Sequence, residues 1–188
     1  MDKSPDKQLP FNAVFRYAHG KLTAEITDLT RPNGIGFSPD GKILYVSNTG
    51  PKMFVMAYDV GPDGKLSHGR VFISYPNRGD GPGVPDGLKV DMAGNLWTTG
   101  PGGIRIITPQ GKLLGQIKLP EVAANLGFAG DGHTLYISGV INGRAPAAGT
   151  DVTAFKDQAR RAFGRLQPIL EASGSSFDDV VMINSFHV

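Results

Sequence analysis

The sequence predicts a mainly β protein in which four-stranded sheets follow one another as blades of a partial β-propeller, with a short α+β segment containing one long helix after them. Three observations predict it. The 188 residues include 26 Gly and 14 Pro, most of them before residue 139, and this composition is typical of many tight turns. A unit of two short strands recurs three times in the same region. A long helical pattern appears only from residue 150 onwards.

The recurring unit begins with a small polar head and continues with an apolar strand, a glycine-containing turn and a second strand. Its three copies are RPNGIGFSPDGKILYVSNT (31–49), VPDGLKVDMAGNLWTTG (84–100) and AANLGFAGDGHTLYISG (123–139). Asp-Gly between alternating strands is a strong hairpin signal, because glycine tolerates the positive φ that the turn needs. Each copy therefore predicts one hairpin.

Further hairpins are predicted between these units. MFVMAYDV turns at Asp63-Gly64 into GRVFISY, GIRIITP turns at Gln110-Gly111 into KLLGQIKLP, and the first hairpin turns at His19-Gly20. Two hairpins per unit give four strands in about 40 to 50 residues, which is the period of propeller blades. A β-sandwich or barrel with chance similarity between its hairpins is the alternative.

The unit heads supply candidate functional residues. In a propeller the first strand of each blade lies near the central axis, so equivalent head positions converge at one end of the channel. The heads carry Asn33, Asp86 and Asn125, whose side-chain oxygens suit a hard cation such as calcium. Asn33 and Asp86 stand in Pro-Asx-Gly triplets, whereas Asn125 does not. Turn formation without any function is the alternative interpretation of both triplets.

The segments RPNGIGFSPDGKILYVSN and GVPDGLKVDMAGNLWTTGPGGI resemble the gluconolactonase/regucalcin (senescence-marker-protein) family. The resemblance covers about residues 1–138 and implies the C-terminal half of a six-bladed propeller. It implies one divalent cation in the channel, calcium first, with zinc or manganese as alternatives. By the same resemblance Asn33 is a metal ligand, and Asp86 is both a metal ligand and the catalytic carboxylate. The implied substrate is a sugar lactone, opened by cation-activated water.

The resemblance is incomplete at the site. Family members are about twice as long as the matching segment, and their Glu ligand has no counterpart here, since Glu25 and Glu121 lie in outer or linking segments. Fewer charged ligands weaken cation binding. Two alternatives therefore stand beside an active metal-dependent hydrolase: a truncated or fused, inactive form, and a non-catalytic interaction fragment.

The last part of the chain differs in pattern. Residues 150–174 predict one helix, because apolar residues recur there at steps of three and four. The stretch FKDQARRAFGRLQPILEASGSSFDDVVMINSFHV resembles part of the reactive-intermediate deaminase (Rid, L-PSP endoribonuclease) family. We place a partial gluconolactonase-like propeller at 1–138 and a Rid-like helix–strand fragment at 139–188. A remnant of imine deamination is a third functional alternative, which we do not assign because the family's substrate-binding Arg has no match here.

Charge and composition exclude several classes of protein. Nineteen Lys+Arg against seventeen Asp+Glu give a net charge of +2. This small charge does not indicate a basic surface for binding nucleic acid or an anionic membrane. No apolar run reaches the roughly 18 residues of a membrane span, and we expect a cytoplasmic protein. The absence of cysteine excludes disulfides and thiolate chemistry. A partial propeller has open sheet edges, through which we expect homo-oligomers, such as two halves closing into one ring.

Overall fold

The computed structural model describes residues 7–76, 81–119, 121–130 and 134–139, which all belong to one compact unit, Met1–Val140. The strands in these residues are β1 Val14–Ala18, β2 Lys21–Ile26, β3 Pro32–Phe37, β4 Ile43–Asn48, β5 Met53–Val60, β6 Leu66–Tyr75, β7 Leu88–Val90, β8 Leu96–Gly100, β9 Gly103–Ile107, β10 Leu113–Lys118, β11 Asn125–Phe128 and β12 Leu135–Ser138. The described residues form no helix, and so none that could cross a membrane. The helix predicted at 150–174 lies outside them.

The strands pair antiparallel with their neighbours along the chain. One four-stranded sheet contains β3 to β6 and a second contains β7 to β10, each in sequence order. β1 pairs with β2, and β11 pairs with β12, as two-stranded sheets. The six hairpins predicted from the sequence therefore all form. The three recurring units supply the first two strands of successive sheets, and the intervening hairpins supply the outer two.

The sheets are stacked through their first strands. β3 lies against β7, and β7 lies against β11. Each first strand thus contacts the first strand of the next sheet, which is the neighbour relationship of propeller blades around an axis. The heads of the three units are brought together at this row of strands, although the heads of the first two lie more than fifty residues apart in sequence.

Two hydrophobic clusters cover the two faces of the β3–β6 sheet. Side chains alternate between the faces of a strand, so Tyr45 joins one cluster whereas Leu44 and Val46 join the other. The cluster shared with the β7–β10 sheet contains Tyr45, Met53, Val55, Ala57, Tyr75, Leu88, Leu96 and Ile107. The cluster shared with β2 contains Ile26, Leu29, Leu44, Val46 and Tyr58. Full burial of one such aliphatic side chain stabilises a fold by about 1.5–3 kcal/mol, so these clusters hold neighbouring sheets together.

The hairpin turns follow the chemistry that the sequence predicts. His19 and Gly20 take left-handed φ values of 51° and 76° at the β1–β2 turn, as a two-residue hairpin loop requires. Gly41 takes a φ of 70° between β3 and β4. The predicted turn at Asp131-Gly132 lies outside the described residues, but the strands on either side of it pair as expected.

Strand register defines which residues of the three units are equivalent. Tyr45, Trp97 and Tyr136 hold the same place in the second strands, and their partners are Gly36, Lys89 and Gly127. One residue further towards the head, Ile35, Leu88 and Leu126 are therefore also equivalent. Leu88 and Leu126 are buried, with 1% and 4% exposure, whereas Ile35 is 48% exposed. The first of the three equivalent positions thus lacks the cover that the other two have in the described residues.

Candidate functional site

Asp86 is held by hydroxyl groups from the second strands of two sheets. Its backbone N–H donates to Thr99 Oγ1 at 3.0 Å, and its carbonyl oxygen accepts from Ser47 Oγ at 2.7 Å. Thr49 Oγ1 donates to the carbonyl of the preceding residue, Pro85, at 2.6 Å. Ser47 and Thr99 are fully buried, so their two bonds are shielded from water and fix the main chain that carries the carboxylate.

Asn33 lies at an irregularity in β3, where the pairing with β4 shifts between Pro32 and Ile35. The shift leaves the Asn33 side chain exposed at the head of the sheet. Its Nδ2 atom donates to Thr49 Oγ1 at 3.1 Å. Because Thr49 also binds Pro85, one hydroxyl connects the two Pro-Asx-Gly triplets.

The side chains of Asn33 and Asp86 meet. Burial raises the pKa of the Asp86 carboxyl above its ordinary value, and a hydrogen bond from the Asn33 side chain partly opposes that rise. No positively charged side chain contributes to this balance. The result is a half-buried carboxylate that ionises at some cost and has a neutral amide beside it. The two residues predicted as ligands are therefore in contact, and their roles remain predictions.

Glycines allow the heads to approach this closely. A Cβ atom on Gly34 would overlap the carbonyl oxygen of Asp86, and one on Gly87 would overlap the side-chain oxygen of Asn125. A larger residue at either position would have to displace the backbone or the side chain opposite. The glycine that follows each candidate ligand is thus required for contact between neighbouring first strands.

Asn125 is offset from the other two head residues. Register places it level with Gly34 and Gly87, so Ala124 occupies the position equivalent to Asn33 and Asp86. Asn125 Oδ1 accepts from the Leu126 N–H at 2.9 Å and from Lys89 Nζ at 3.2 Å. The sequence interpretation that put Asn125 at an equivalent head position is wrong by one residue, because the third head lacks the Pro-Asx-Gly triplet that sets the spacing.

Several residues of the site were not found from the sequence. Lys89 places an ammonium group next to Asn125, and a single lysine in a short strand gives no sequence signal for that position. The hydroxyls of Ser47 and Thr99 do have a signal, since Ser or Thr occurs two residues after the aromatic residue in YVSN, WTTG and YISG. That recurrence predicts a shared structural role. In the first unit Ser47 binds the main chain of the next head, and in the second unit Thr99 binds the main chain of its own head.

The donor set fits a hard cation in kind but not in number. A half-buried carboxylate and an amide side chain are the oxygen donors that calcium accepts, yet calcium takes six to eight of them. Among the residues that the structure describes, no group of three or more His, Cys, Asp or Glu side chains is gathered. Glu25 is bound within the β1–β2 hairpin to Arg16 at 2.9 Å and Thr23 at 2.8 Å. Asn33 and Asp86 by themselves are therefore too few donors for a calcium site.

Trp97 and Arg105 take part in contacts between strands and sheets. Trp97 Nε1 donates to Asp91 Oδ2 at 2.9 Å, and its ring meets Phe128 edge-on, with centroids 5.3 Å apart. The Arg105 guanidinium lies 4.6 Å from the centre of the Tyr75 ring, a cation–π geometry. Both side chains thus have structural partners.

The stacked antiparallel sheets and the converging polar heads define a mainly β protein of the propeller type. Comparison with protein families narrows the class further. The family described as SMP-30/Gluconolactonase/LRE-like region matches residues 1–140, and the chain belongs to that family. The family described as Endoribonuclease L-PSP matches residues 122–188. Both resemblances drawn from the sequence are confirmed, and the two matches overlap on the segment that contains β11 and β12.

Individual relatives agree with this assignment. A gluconolactonase from Zymomonas mobilis is 36% identical over 146 residues, which are 73% of this chain and 41% of that protein. A solved gluconolactonase structure from Xanthomonas campestris superposes with a TM-score of 0.63 at 34% identity, covering 72% of this chain and 44% of the other. The RutC family protein YjgH from Escherichia coli is 39% identical over 56 residues, or 30% of this chain and 41% of that protein. The chain spans less than half the length of these relatives.

Proposed function

We propose that this chain carries part of a lactone hydrolase site, in which water opens the ring of a sugar lactone. The observation that supports the proposal most directly is the contact between the Asn33 and Asp86 side chains at the heads of neighbouring sheets. The SMP-30/Gluconolactonase/LRE-like family matches residues 1–140, which include the residues that build these heads. A pentonolactonase from Haloferax volcanii, 32% identical over 124 residues covering 63% of this chain and 41% of that protein, points to the same substrate class.

Asp86 is the proposed general base. When no cation is bound, burial raises the pKa of the Asp86 carboxyl, which makes it a stronger proton acceptor than an ordinary aspartate. Asp86 accepts a proton as the water oxygen bonds to the lactone carbonyl carbon. The bond between that carbon and the ring oxygen then breaks, and the proton passes to the ring oxygen, which becomes a hydroxyl. The product is the open hydroxy acid.

Asn33 and Asp86 are the proposed protein ligands of a divalent cation, calcium first and zinc or manganese as alternatives. When bound, such a cation polarises the lactone carbonyl and stabilises negative charge on its oxygen. The hydroxyls of Ser47 and Thr99 hold the Asp86 backbone, and Thr49 orients the Asn33 amide. These bonds keep the two donors in place when no cation offsets the charge of the carboxylate.

The proposal is tested by hydrolysis of aldono-lactones, followed as acid release in a weakly buffered indicator assay with added Ca²⁺, Zn²⁺ or Mn²⁺. We expect Asp86→Asn to lower kcat/KM by about 100-fold or more, which begins at the lower end of the range that general-base catalysis contributes. The matched control is Asp63→Asn, an equal change at the exposed β5–β6 turn, and it should keep wild-type activity. Equal rates in wild type and Asp86→Asn would contradict the proposal.

A non-catalytic interaction fragment is the second candidate. The observation in its favour is that the chain spans only 41% of the Zymomonas mobilis gluconolactonase. It predicts no lactone hydrolysis above the uncatalysed rate under any of the three cations, with folding intact by circular dichroism. A Rid-type deaminase would instead release ammonia from an imino acid, which is measured in the same samples.

A further inference from the structure

We propose that two copies of this chain associate about a two-fold axis, with β11–β12 of one copy and β1–β2 of the partner forming one four-stranded sheet. β1–β2 corresponds to the outer hairpin of a complete sheet, and β11–β12 to the inner hairpin. Among the described residues, each two-stranded sheet lacks the half that the other provides. A two-fold axis makes this exchange twice, so both incomplete sheets are completed together.

Two copies together contain the number of strands that a closed ring of six sheets needs. The described residues contain twelve strands, and two copies therefore contain enough strands for six sheets of four. The aligned segment covers 44% of the Xanthomonas campestris gluconolactonase, so two such segments, at twice 44%, would account for 88% of that chain. A second copy is the occupant whose strands match the missing ones in number and in position within the sheet.

Ile35 shows which face the partner covers. Leu88 and Leu126, its equivalents in the next two units, are almost fully buried because a preceding first strand lies over them. Ile35 is 48% exposed, and Phe37, two residues further on the same face, is 53% exposed. Neighbouring large apolar side chains at this exposure mark an interaction surface.

Gly127 provides the matching surface at the other end of the unit. Its equivalent in the first sheet, Gly36, faces Leu88 so closely that an added Cβ would stand 2.8 Å from Leu88 Cδ1. An added Cβ on Gly127 would have no atom within 4 Å. In the dimer Ile35 of one copy packs on Gly127 of the partner, as Leu88 packs on Gly36 within one chain.

The pairing also has a consequence for the candidate site, and this part rests on the proposed function. A closed ring points the heads of both copies towards one axis, so two Asn33–Asp86 pairs face the same channel. Four oxygen-bearing side chains come closer to the six to eight ligands that calcium takes than two do. We therefore expect one cation per two chains rather than one per chain.

The mass of the 188-residue chain in solution tests the dimer. Light scattering coupled to size exclusion should give about twice the chain mass of 20.0 kDa at micromolar concentration. Gly127→Glu should weaken association at least about tenfold, a change of roughly 1.4 kcal/mol, because it places a charge where Ile35 packs. The control is Gly115→Glu in β10, where an added Cβ likewise meets nothing within 4 Å, and this variant should remain dimeric.

A second pair of variants tests whether loss of the dimer could result from misfolding rather than from loss of the interface. Ile35→Asp should dissociate the dimer, whereas Met92→Asp, at a side chain that is 91% exposed in a turn, should not. A monomeric wild type, a mass other than twice the chain mass, or a dimer that survives both Gly127→Glu and Ile35→Asp would overturn the proposal. Calorimetric titration with Ca²⁺ separates the dimer from the site. A dimer that binds no Ca²⁺ contradicts only the proposed calcium ligation, and one cation per chain refutes the shared site.

Discussion

The Ser47 hydroxyl donates a 2.7 Å hydrogen bond to the carbonyl oxygen of Asp86, across the boundary between two sheets. The same hydroxyl accepts the N–H of Gly34 at 2.7 Å. One fully buried side chain therefore joins β3 and β4 to the loop that carries the candidate base. The position of Asp86 depends on the neighbouring sheet as much as on its own.

Ser47→Ala should destabilise the chain by about 1–3 kcal/mol, because it leaves a part-buried carbonyl and a part-buried N–H without their Ser47 partner. Urea unfolding, followed by circular dichroism, measures the change. Ser67→Ala removes a hydroxyl on the exposed part of β6 and should stay within about 0.5 kcal/mol of wild type. A Ser47→Ala variant as stable as Ser67→Ala would show that the inter-sheet bond contributes nothing.

Cation binding should raise the melting temperature, since a ligand that binds only the native state stabilises it. At a hundred times the dissociation constant the gain is about 2.7 kcal/mol, or roughly 5–10 °C for a chain of this size. Thermal melts with increasing Ca²⁺, Zn²⁺ and Mn²⁺ measure it. The gain should disappear in Asp86→Asn and shrink in Asn33→Ala, and it should persist in Asp63→Asn. An equal gain in Asp86→Asn would place the cation elsewhere.

Asp86→Asn should also change how stability depends on pH when no cation is added. The folded-state pKa of Asp86 is raised above 3.8, so folding favours its protonated form. The stability from this group is fully present below pH 3.8 and is lost as the pH rises through the folded pKa. The variant should therefore melt above wild type at neutral pH, and the difference should vanish below pH 3.8. A difference that does not change with pH would contradict the desolvated carboxylate.

The contribution of Asp91 to stability depends on pH in the opposite way to that of Asp86. Burial opposes its ionisation, but hydrogen bonds from Trp97 and Asn95 outweigh burial and lower its pKa below 3.8. The stability from this group is present above pH 3.8 and is lost as the pH falls through the lower folded value. Asp91→Ala should lower the free energy of unfolding by about 1–2 kcal/mol at neutral pH. Hydrogen bonds to a charged group contribute somewhat more than this, and partial exposure reduces their contribution.

The fluorescence of Trp97 reports the same titration, since it is the single tryptophan of the chain. Emission from wild type should change below pH 3.8, when Asp91 is protonated and its bond to the indole N–H weakens. Asp91→Asn should show no such step. An identical acid transition in the variant would assign the change to another group.

Hairpins were the part of the fold that the sequence predicted best. Turn residues such as Gly41 and the pair His19-Gly20 act over two or three positions, so local sequence determines them. The Pro-Asx-Gly triplets also predicted that Asn33 and Asp86 share one end of the stacked strands. The triplet is a local signal, and its recurrence made a long-range contact predictable.

Register and the supporting hydroxyls were harder to predict. The one-residue offset of Asn125 depends on the pairing of Leu126 with Ile137, which the third unit's sequence does not specify because its head lacks the Pro-Asx-Gly triplet. The bonds from Ser47 and Thr49 to the second head depend on how two sheets stack. Single-sequence patterns contain the residue types for such bonds but not the distance between sheets.

The two complete sheets are each built from consecutive hairpins, and this has a consequence for synthesis on the ribosome. Each strand finds its partner among residues already made just before it, so a sheet can assemble as the chain emerges from its N-terminal end. The last residue that the Asn33–Asp86 contact requires for support is Thr99. A nascent chain that has released this residue already contains the whole candidate pair, and a protease-protection assay on stalled chains should detect its ordering at that length.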